Sequence, residues 1–267
     1  MGAMSRTFTI PLAPQPHPVV GLHPGTEAED GAAETTDRGD DEYFELTLHE
    51  PALTSDNLGF KTWASSYLLA KRLLDLRPML PNMSSTESAL ELGAGTGLVG
   101  MAAAVILKAH VYLTDLPEIV PNLERNILAN TPVLSGAMDG AQDAEACVLD
   151  WCDPASFVLK VGDAACPAHS FPLILAADPI YSSDHPKLLV DSIDVHLSRS
   201  QRARVVVEMP LRDAYSSERK DFRDRMVGLG LTVLEEGEEV GYDDWAEGCD
   251  EEELAEVRCC WSVWRWE

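Results

Sequence analysis

The stretch from Ala89 to Asp115 constrains the fold more than any other part of the chain. It runs Ala-Leu-Glu-Leu, then Gly93-Ala94-Gly95-Thr96-Gly97, an apolar helical run to Leu107, and His110-Val-Tyr-Leu-Thr114 before Asp115. Strand, glycine loop, helix, strand and terminal acid make one βαβ unit, and such a crossover places its two strands parallel in one sheet. Glycines in the loop let the backbone turn sharply and approach a ligand, because no Cβ stands in the way. The helix behind them offers unpaired N–H groups at its start. Asp115 falls about twenty residues past the loop, where a carboxylate can accept from both hydroxyls of a ribose. The unit predicts a nucleoside-cofactor site.

Two registers compete in the loop. Counted from Gly95, Gly95-x-Gly97-x-x-Gly100 matches the dinucleotide fingerprint. Counted from Glu91, Glu-x-Gly-x-Gly-x-Gly resembles the first motif of class I S-adenosylmethionine (SAM) methyltransferases. The dinucleotide register starts its turn inside the loop and leaves Glu91 beside a pyrophosphate it would repel. In the other register Glu91 faces the ammonium and sulfonium side of SAM.

The rest of the chain supplies strands and helices in alternation. Residues 1–42, rich in Pro, Gly and acids, are expected to form a flexible acidic arm, with Thr7–Leu12 a candidate edge strand. The catalytic domain is expected over 43–267. Tyr43–His49 alternates like a strand, and Trp63, Tyr67, Ala70 and Leu74 recur at helical spacing until Arg77-Pro78. Pro117–Ala129 reads as an amphipathic helix and Glu145–Leu149 as a strand. Leu173–Ala177 is wholly apolar, as a central parallel strand should be. Asp184 is placed to cap a helix carrying Leu189, Ile193 and Leu197. A strand at Val205–Val207 and a helix through Phe222 and Met226 follow. Leu231–Leu234, an acidic loop and Val257–Trp266 come last, with no helix between; strand–loop–strand without a crossover implies an antiparallel pair. The fold class is therefore α/β: a Rossmann-like, seven-stranded, mostly parallel sheet with a C-terminal antiparallel hairpin and helices on both faces, as in class I SAM methyltransferases.

Charge narrows the partners. The net charge is −25, but residues 27–50 hold ten acids against one Arg, and 235–256 hold twelve with no Lys or Arg. The remainder has 23 acids and 19 bases, so the excess is local. An acidic rim attracts a basic protein substrate, and solvated acidic loops are the plainer reading. No basic footprint for nucleic acid is visible. No apolar run approaches a membrane span, and the start lacks the layout of a signal peptide. The six cysteines show no Cys-x-x-Cys pair and no matching histidine spacing, which argues against zinc and a disulfide framework and suits reduced thiols; no metal is expected. A cytoplasmic monomer is expected, with the nucleus as a second location.

In open α/β sheets ligands lie beyond the carboxyl ends of the strands. There Glu91 and the loop residues Gly93, Ala94, Gly95 and Gly97 would take the methionine end of SAM, and Asp115 the ribose. Asp150 would accept from the adenine amino group while Trp151 packs by the ring. Ala177 is small enough for close approach. Asp178, Tyr181 and Glu208 complete the polar set at these ends.

Trp63, Glu91-Leu-Gly93-Ala-Gly95-Thr-Gly97, Asp115, Leu149-Asp150-Trp151 and Ala177-Asp178-x-x-Tyr181 together resemble the seven-β-strand protein-lysine methyltransferases, the methyltransferase-like 21 or family 16 type. The likeness spans roughly residues 43–267 and is strongest to fungal glucose-inducible SAM-dependent members. It implies SAM as cofactor, contact of Trp63 with that cofactor, and a protein lysine as acceptor. The chain departs from the pattern in its acidic arm, its acidic segment at 235–256 and Pro210-Leu211 after Glu208.

Charge movement then gives Asp178 a catalytic role, and the resemblance pairs Tyr181 with it. Attack by a neutral amine moves positive charge from sulfur to nitrogen, so a carboxylate beside the nitrogen favours the transition state. A free lysine has a pKa of ~10.4, and holding it neutral at pH 7 costs roughly 4–5 kcal/mol. Asp178 alone would add to that cost, since it also stabilises the ammonium. Tyr181 would wall the lysine channel. Rival readings stay open at this level. Asp178-Pro-x-Tyr181 is similar to the Asp/Asn-Pro-Pro-Tyr motif of enzymes that methylate amide or adenine nitrogen. A small-molecule methyltransferase, a catalytically idle SAM-binding protein and an NAD-dependent oxidoreductase, for which His185 is the nearest proton donor, are the others.

Overall fold

The computed structural model describes residues 2–13, 43–52, 58–135, 144–159, 164–243 and 255–267. β1 (Met4–Pro11) and β2 (Tyr43–Glu50) form an antiparallel ribbon with Thr7 opposite Thr47. There follow α1 (Ala64–Leu76), β3 (Ser88–Leu92), α2 (Leu98–Leu107), β4 (His110–Asp115), α3 (Val120–Ala129), the single turn α4 (Thr131–Leu134) and β5 (Ala144–Val148). A short ribbon of β6 (Val158–Leu159) and β7 (Ala164–Ala165) leads to β8 (Leu173–Ala177), α5 (His185–His196) and β9 (Arg204–Pro210). α6 (Ser216–Gly228), β10 (Leu231–Asp243) and β11 (Ala255–Trp266) finish the chain.

Seven strands make one sheet in the order β10-β11-β9-β8-β3-β4-β5. β3, β4, β5, β8 and β9 run parallel, and β11 is antiparallel to both its neighbours, as the missing crossover helix requires. The chain leaves β3 toward β4 but leaves β8 toward β9. The order therefore reverses between β3 and β8, the place where an open sheet offers a crevice for a ligand.

Period-two alternation divides the core between two layers. Ala89 of β3 joins Leu173, Val206, Trp261 and the apolar sides of α1, α2 and α3 on one face. Leu90 and Leu92 join Ile174, Val205, Trp264 and residues of α5 and α6 on the other. α2 is buried nearly throughout because β2, α1 and α4 pack on its outer side.

The β1–β2 ribbon belongs to the first layer: Ile10, Leu46 and Leu48 are fully buried. Asparagines seal the edge of β2. Asn130 accepts from the Thr47 N–H at 2.9 Å and donates to its carbonyl at 2.8 Å. Asn126 accepts from the His49 N–H at 2.8 Å and donates to its carbonyl at 3.2 Å, with Asn122 donating there at 3.0 Å. Spaced every four residues along one side of α3, these amides imitate a neighbouring strand.

The edge strand expected at Thr7–Leu12 is present as β1, because Phe8 and Ile10 find an apolar layer to cover; residues 14–42 of the expected arm lie outside the described residues. Two expectations need correction. The acidic segment expected as a loop from residue 235 is strand as far as Asp243, carried by pairing to β11, and 244–254 lie outside the described residues. Asp184 stands just before α5 but makes no side-chain capping bond.

Candidate active site

The carboxyl ends of β3, β4 and β8 open into a cavity of about 520 Å³. The glycine loop forms its floor. Gly93 and Gly95 adopt φ of 70° and 55°, a region that penalises any side chain. A Cβ on Gly93 would also stand 3.1 Å from the Trp151 ring, and one on Gly95 3.0 Å from the Gly59 carbonyl oxygen. The loop is tied from behind. The Ala94 N–H donates to the Thr114 carbonyl at 2.9 Å, and the Gly95 N–H to Asp115 Oδ2 at 2.7 Å. Asp115 Oδ1 accepts from the Leu116 N–H at 2.8 Å, so the carboxylate is aimed while lone pairs remain for a ligand. Burial raises its pKa to about 6 against the pull of these two bonds.

Residues 58–63 cross over the loop. The Thr62 N–H donates to Glu50 Oε1 at 2.8 Å and its hydroxyl meets that of Thr96 at 2.7 Å. Glu50 in turn pairs with Arg6 at 3.0 Å, so the N-terminal ribbon holds the cavity roof. Trp63 donates its indole N–H to the Leu58 carbonyl at 3.2 Å and lines the cavity beside Lys61 and Arg212.

An aromatic row forms another wall. Asp150 accepts from the Cys152 N–H at 2.8 Å, a tight turn that presents Trp151 to the cavity. The ring of His185 stands edge-on to Trp151 and Tyr181, with centroids 5.8 and 4.2 Å away. Its Nδ1 lies 3.0 Å from the Pro179 carbonyl, and burial lowers its pKa. The Tyr181 hydroxyl is pushed up to about 12 by burial and by the charges of Asp115 and Asp178.

Asp178 follows β8 with φ of 50°, and its N–H continues the ladder to the Glu208 carbonyl at 2.8 Å. Its carboxylate takes both ends of the Arg212 guanidinium, Oδ1 to Nη1 at 3.1 Å and Oδ2 to Nη2 at 2.9 Å. Asp243, which accepts from the Ala64 N–H at 3.0 Å, adds a second negative charge nearby. Burial raises Asp178 to about 6; Arg212 draws it down and Asp243 pushes it up.

Ten expected site residues meet at this cavity: Trp63, Gly93, Ala94, Gly95, Asp115, Asp150, Trp151, Ala177, Asp178 and Tyr181. Glu91 and Gly97 do not. Glu91 lies within β3, not at its tip, and alternation turns its side chain under α2, where it accepts from the Gly100 N–H at 2.8 Å. A Cβ on Gly100 would stand 2.4 Å from that oxygen, which accounts for the glycine that completed the dinucleotide pattern. Gly97 starts α2, and a Cβ there would meet Leu123 at 2.5 Å. Glu208 is fully buried behind the cavity, not lining it. Sequence reasoning passed over Arg212 and Lys61. The signals available were a cation just past the strand carrying Glu208, and one two residues before Trp63.

These residues fit SAM. The two glycines leave a cradle that a Cβ would fill, Asp115 keeps acceptor capacity for ribose, and Trp151 offers a flat apolar surface for a base. Among the described residues no group of three or more His, Cys, Asp or Glu is placed to hold a metal.

Comparison with known proteins gives the same direction. A model described as lysine methyltransferase matches residues 41–226. Protein-lysine N-methyltransferase EFM2 of Saccharomyces cerevisiae is 38% identical over 226 residues, 76% of this chain and 51% of the relative. Protein-lysine N-methyltransferase rrg1 of Schizosaccharomyces pombe is 34% identical over 83% of this chain and 67% of the relative. Mouse protein-lysine methyltransferase METTL21E is 33% identical over 55% of each. The chain thus spans about half to two thirds of the length of these relatives. With its glycine cradle, the acid at the end of β4 and this match over most of its length, the chain belongs to the lysine methyltransferase family, and its cofactor is S-adenosylmethionine.

Proposed function

We propose that this chain transfers the methyl group of SAM to the side-chain amine of lysine in a protein substrate. One observation carries the reading: Asp178 presents a buried carboxylate to the same cavity as the glycine cradle and Asp115. When bound, SAM supplies a methyl group on a cationic sulfur. Asp115 would accept from the ribose, Trp151 and Asp150 would meet the adenine, and the glycine cradle and Trp63 would line the remainder. Asp178 accepts an N–H of the incoming amine and points its lone pair at the methyl carbon. Positive charge grows on that nitrogen as the N–C bond forms, so the carboxylate stabilises the transition state more than the ground state. The amine releases its proton to water before the methyl group moves. Tyr181, Trp151 and His185 exclude solvent from the reacting atoms.

The acidic excess supports a basic surface on the substrate, and the shortage of basic patches disfavours nucleic acid. The cysteine spacing suits reduced thiols, so we place the chain in the cytoplasm, with the nucleus second, acting as a monomer. The test is transfer of labelled methyl from SAM into extract of cells lacking this protein. We expect a labelled protein band whose modified residue, by mass spectrometry, is lysine. Label confined to nucleic acid or small molecules would overturn the lysine reading.

A further inference from the structure

Asp178 does not stand alone in the cavity. Arg212, on the loop between β9 and α6, grips both of its oxygens, and the guanidinium lies 5.5 Å from the centre of the Trp63 ring. The loop itself is anchored, for Arg219 donates to the Arg212 carbonyl at 2.5 Å. Among the described residues, Asp243 from β10 acts on Asp178, Tyr181 beyond β8 and Cys259 from β11 feel its charge, and Lys61 lines the same cavity. Arg212 is the cation that bonds to the carboxylate directly. An unpaired carboxylate would hold a substrate lysine as ammonium, which has no lone pair to attack with. A carboxylate whose charge is already matched still accepts a hydrogen bond but rewards the extra proton less.

We propose that Arg212 is a positioning residue for methyl transfer, fixing Asp178 by its two-pronged grip and offsetting its charge so that the neutral form of the substrate amine is favoured. This rests on the lysine reading above. The step balances without another reactant. The ammonium gives one proton to water, the nitrogen lone pair forms the N–C bond, and the electrons of the breaking C–S bond stay on sulfur. The product leaves as a methylated ammonium. Arg212 sets the first of these events and keeps Asp178 aimed during the second.

The test compares the full chain with Arg212→Gln, which removes the charge, and Arg212→Lys, which keeps it without the fork. Carboxyl ¹³C NMR, with Asp178 assigned through Asp178→Asn, follows the Asp178 titration directly. We expect Arg212→Gln to move its midpoint up by ~1–2 pH units and Arg212→Lys to move it less, the scale for losing an adjacent opposite charge. The pH–rate profile is then measured with labelled SAM and the lysine protein labelled by the wild-type chain. In Arg212→Gln the acid limb of kcat should shift to higher pH by ~1 unit, with activity at pH 7 down ~10–100-fold and largely regained in alkali. Arg212→Lys should restore most of the limb, and SAM affinity by calorimetry should stay within a few-fold in both. An unmoved Asp178 midpoint, or a rate lowered equally at every pH, overturns the proposal. A wild-type chain that labels no lysine overturns the lysine reading, whatever the NMR titration shows.

Discussion

Asp178 occupies a backbone conformation that Asp, Asn and Gly adopt far more readily than other residues. Asn is therefore the cleaner probe of its charge, since Ala adds backbone strain of ~1–2 kcal/mol. Asp178→Asn should bind SAM within a few-fold of wild type while methyl transfer falls ~10²–10³-fold, the scale for deleting one preorganised electrostatic partner. Calorimetry and single-turnover assays separate the two; full activity in Asn would remove charge from Asp178's role. Glu91 makes a different prediction, about pH. Burial raises its pKa from 4.5 to about 8, outweighing the Gly100 N–H bond that lowers it. The folded chain then keeps a proton that the unfolded chain releases above pH 4.5, so stability falls as pH rises from there to about 8. Asp115 and Asp178, each raised to about 6, add the same sign over a narrower window. Glu91→Gln retains an acceptor for Gly100 and cannot titrate. Its Tm should fall less than that of wild type between pH 5 and pH 8, and parallel curves would contradict the assignment.

At the scale of elements, α3 serves as a surrogate strand for β2. Asn126 is fully buried and binds the His49 N–H and carbonyl and also the Thr96 carbonyl at 3.0 Å, joining the ribbon to the glycine loop. Asn126→Ala strips the His49 N–H and the Thr96 carbonyl of this partner, while Asn122 still donates to the His49 carbonyl; it should cost ~2–4 kcal/mol in urea unfolding, well above Asn122→Ala, which loses a single bond to that carbonyl. None of this is visible locally. Val120, Leu123 and Ile127 announce the apolar side of α3, while the asparagines look like its wet side until β2 arrives from far upstream. The parallel strands and the glycine cradle were legible because each depends on neighbours in sequence: Leu173–Ala177 is apolar throughout, and Gly93 to Asp115 is one continuous unit. Glu91 misled because its loop pattern says nothing about which face of β3 it occupies. Arg212 went unnoticed because its partner lies 34 residues away, across a strand boundary. β10 ran past its expected end because pairing to β11 outweighs the low strand preference of its glutamates.

For the molecule as a whole, charge is spent unevenly. On β10, Glu236 pairs with Arg223 at 2.8 Å, Glu239 with Arg72 at 2.6 Å and Glu238 with Arg258 at 2.5 Å. These acids are locally matched and make poor steering groups. The run after Asp243 holds six more acids as far as Leu254 with no Lys or Arg, and it begins beside Asp178's neighbour. Replacing Asp250, Glu251, Glu252 and Glu253 with Ser should lower kcat/KM for the protein substrate ~3–10-fold at low salt and flatten its salt dependence, with SAM affinity unchanged. A salt profile like that of wild type would reduce the run to a solvated loop. The strand order carries a consequence for synthesis. β11 is made after β10, yet it lies between β10 and β9 and brings Trp261 to one core layer and Trp264 and Trp266 to the other. Until those residues leave the ribosome, β9 has a bare edge, β10 has no partner in the sheet, and both layers lack their aromatic filling. Folding of this sheet is therefore completed late, and a nascent chain stalled before Ala255 presents the kind of open strand edge on which aggregation starts.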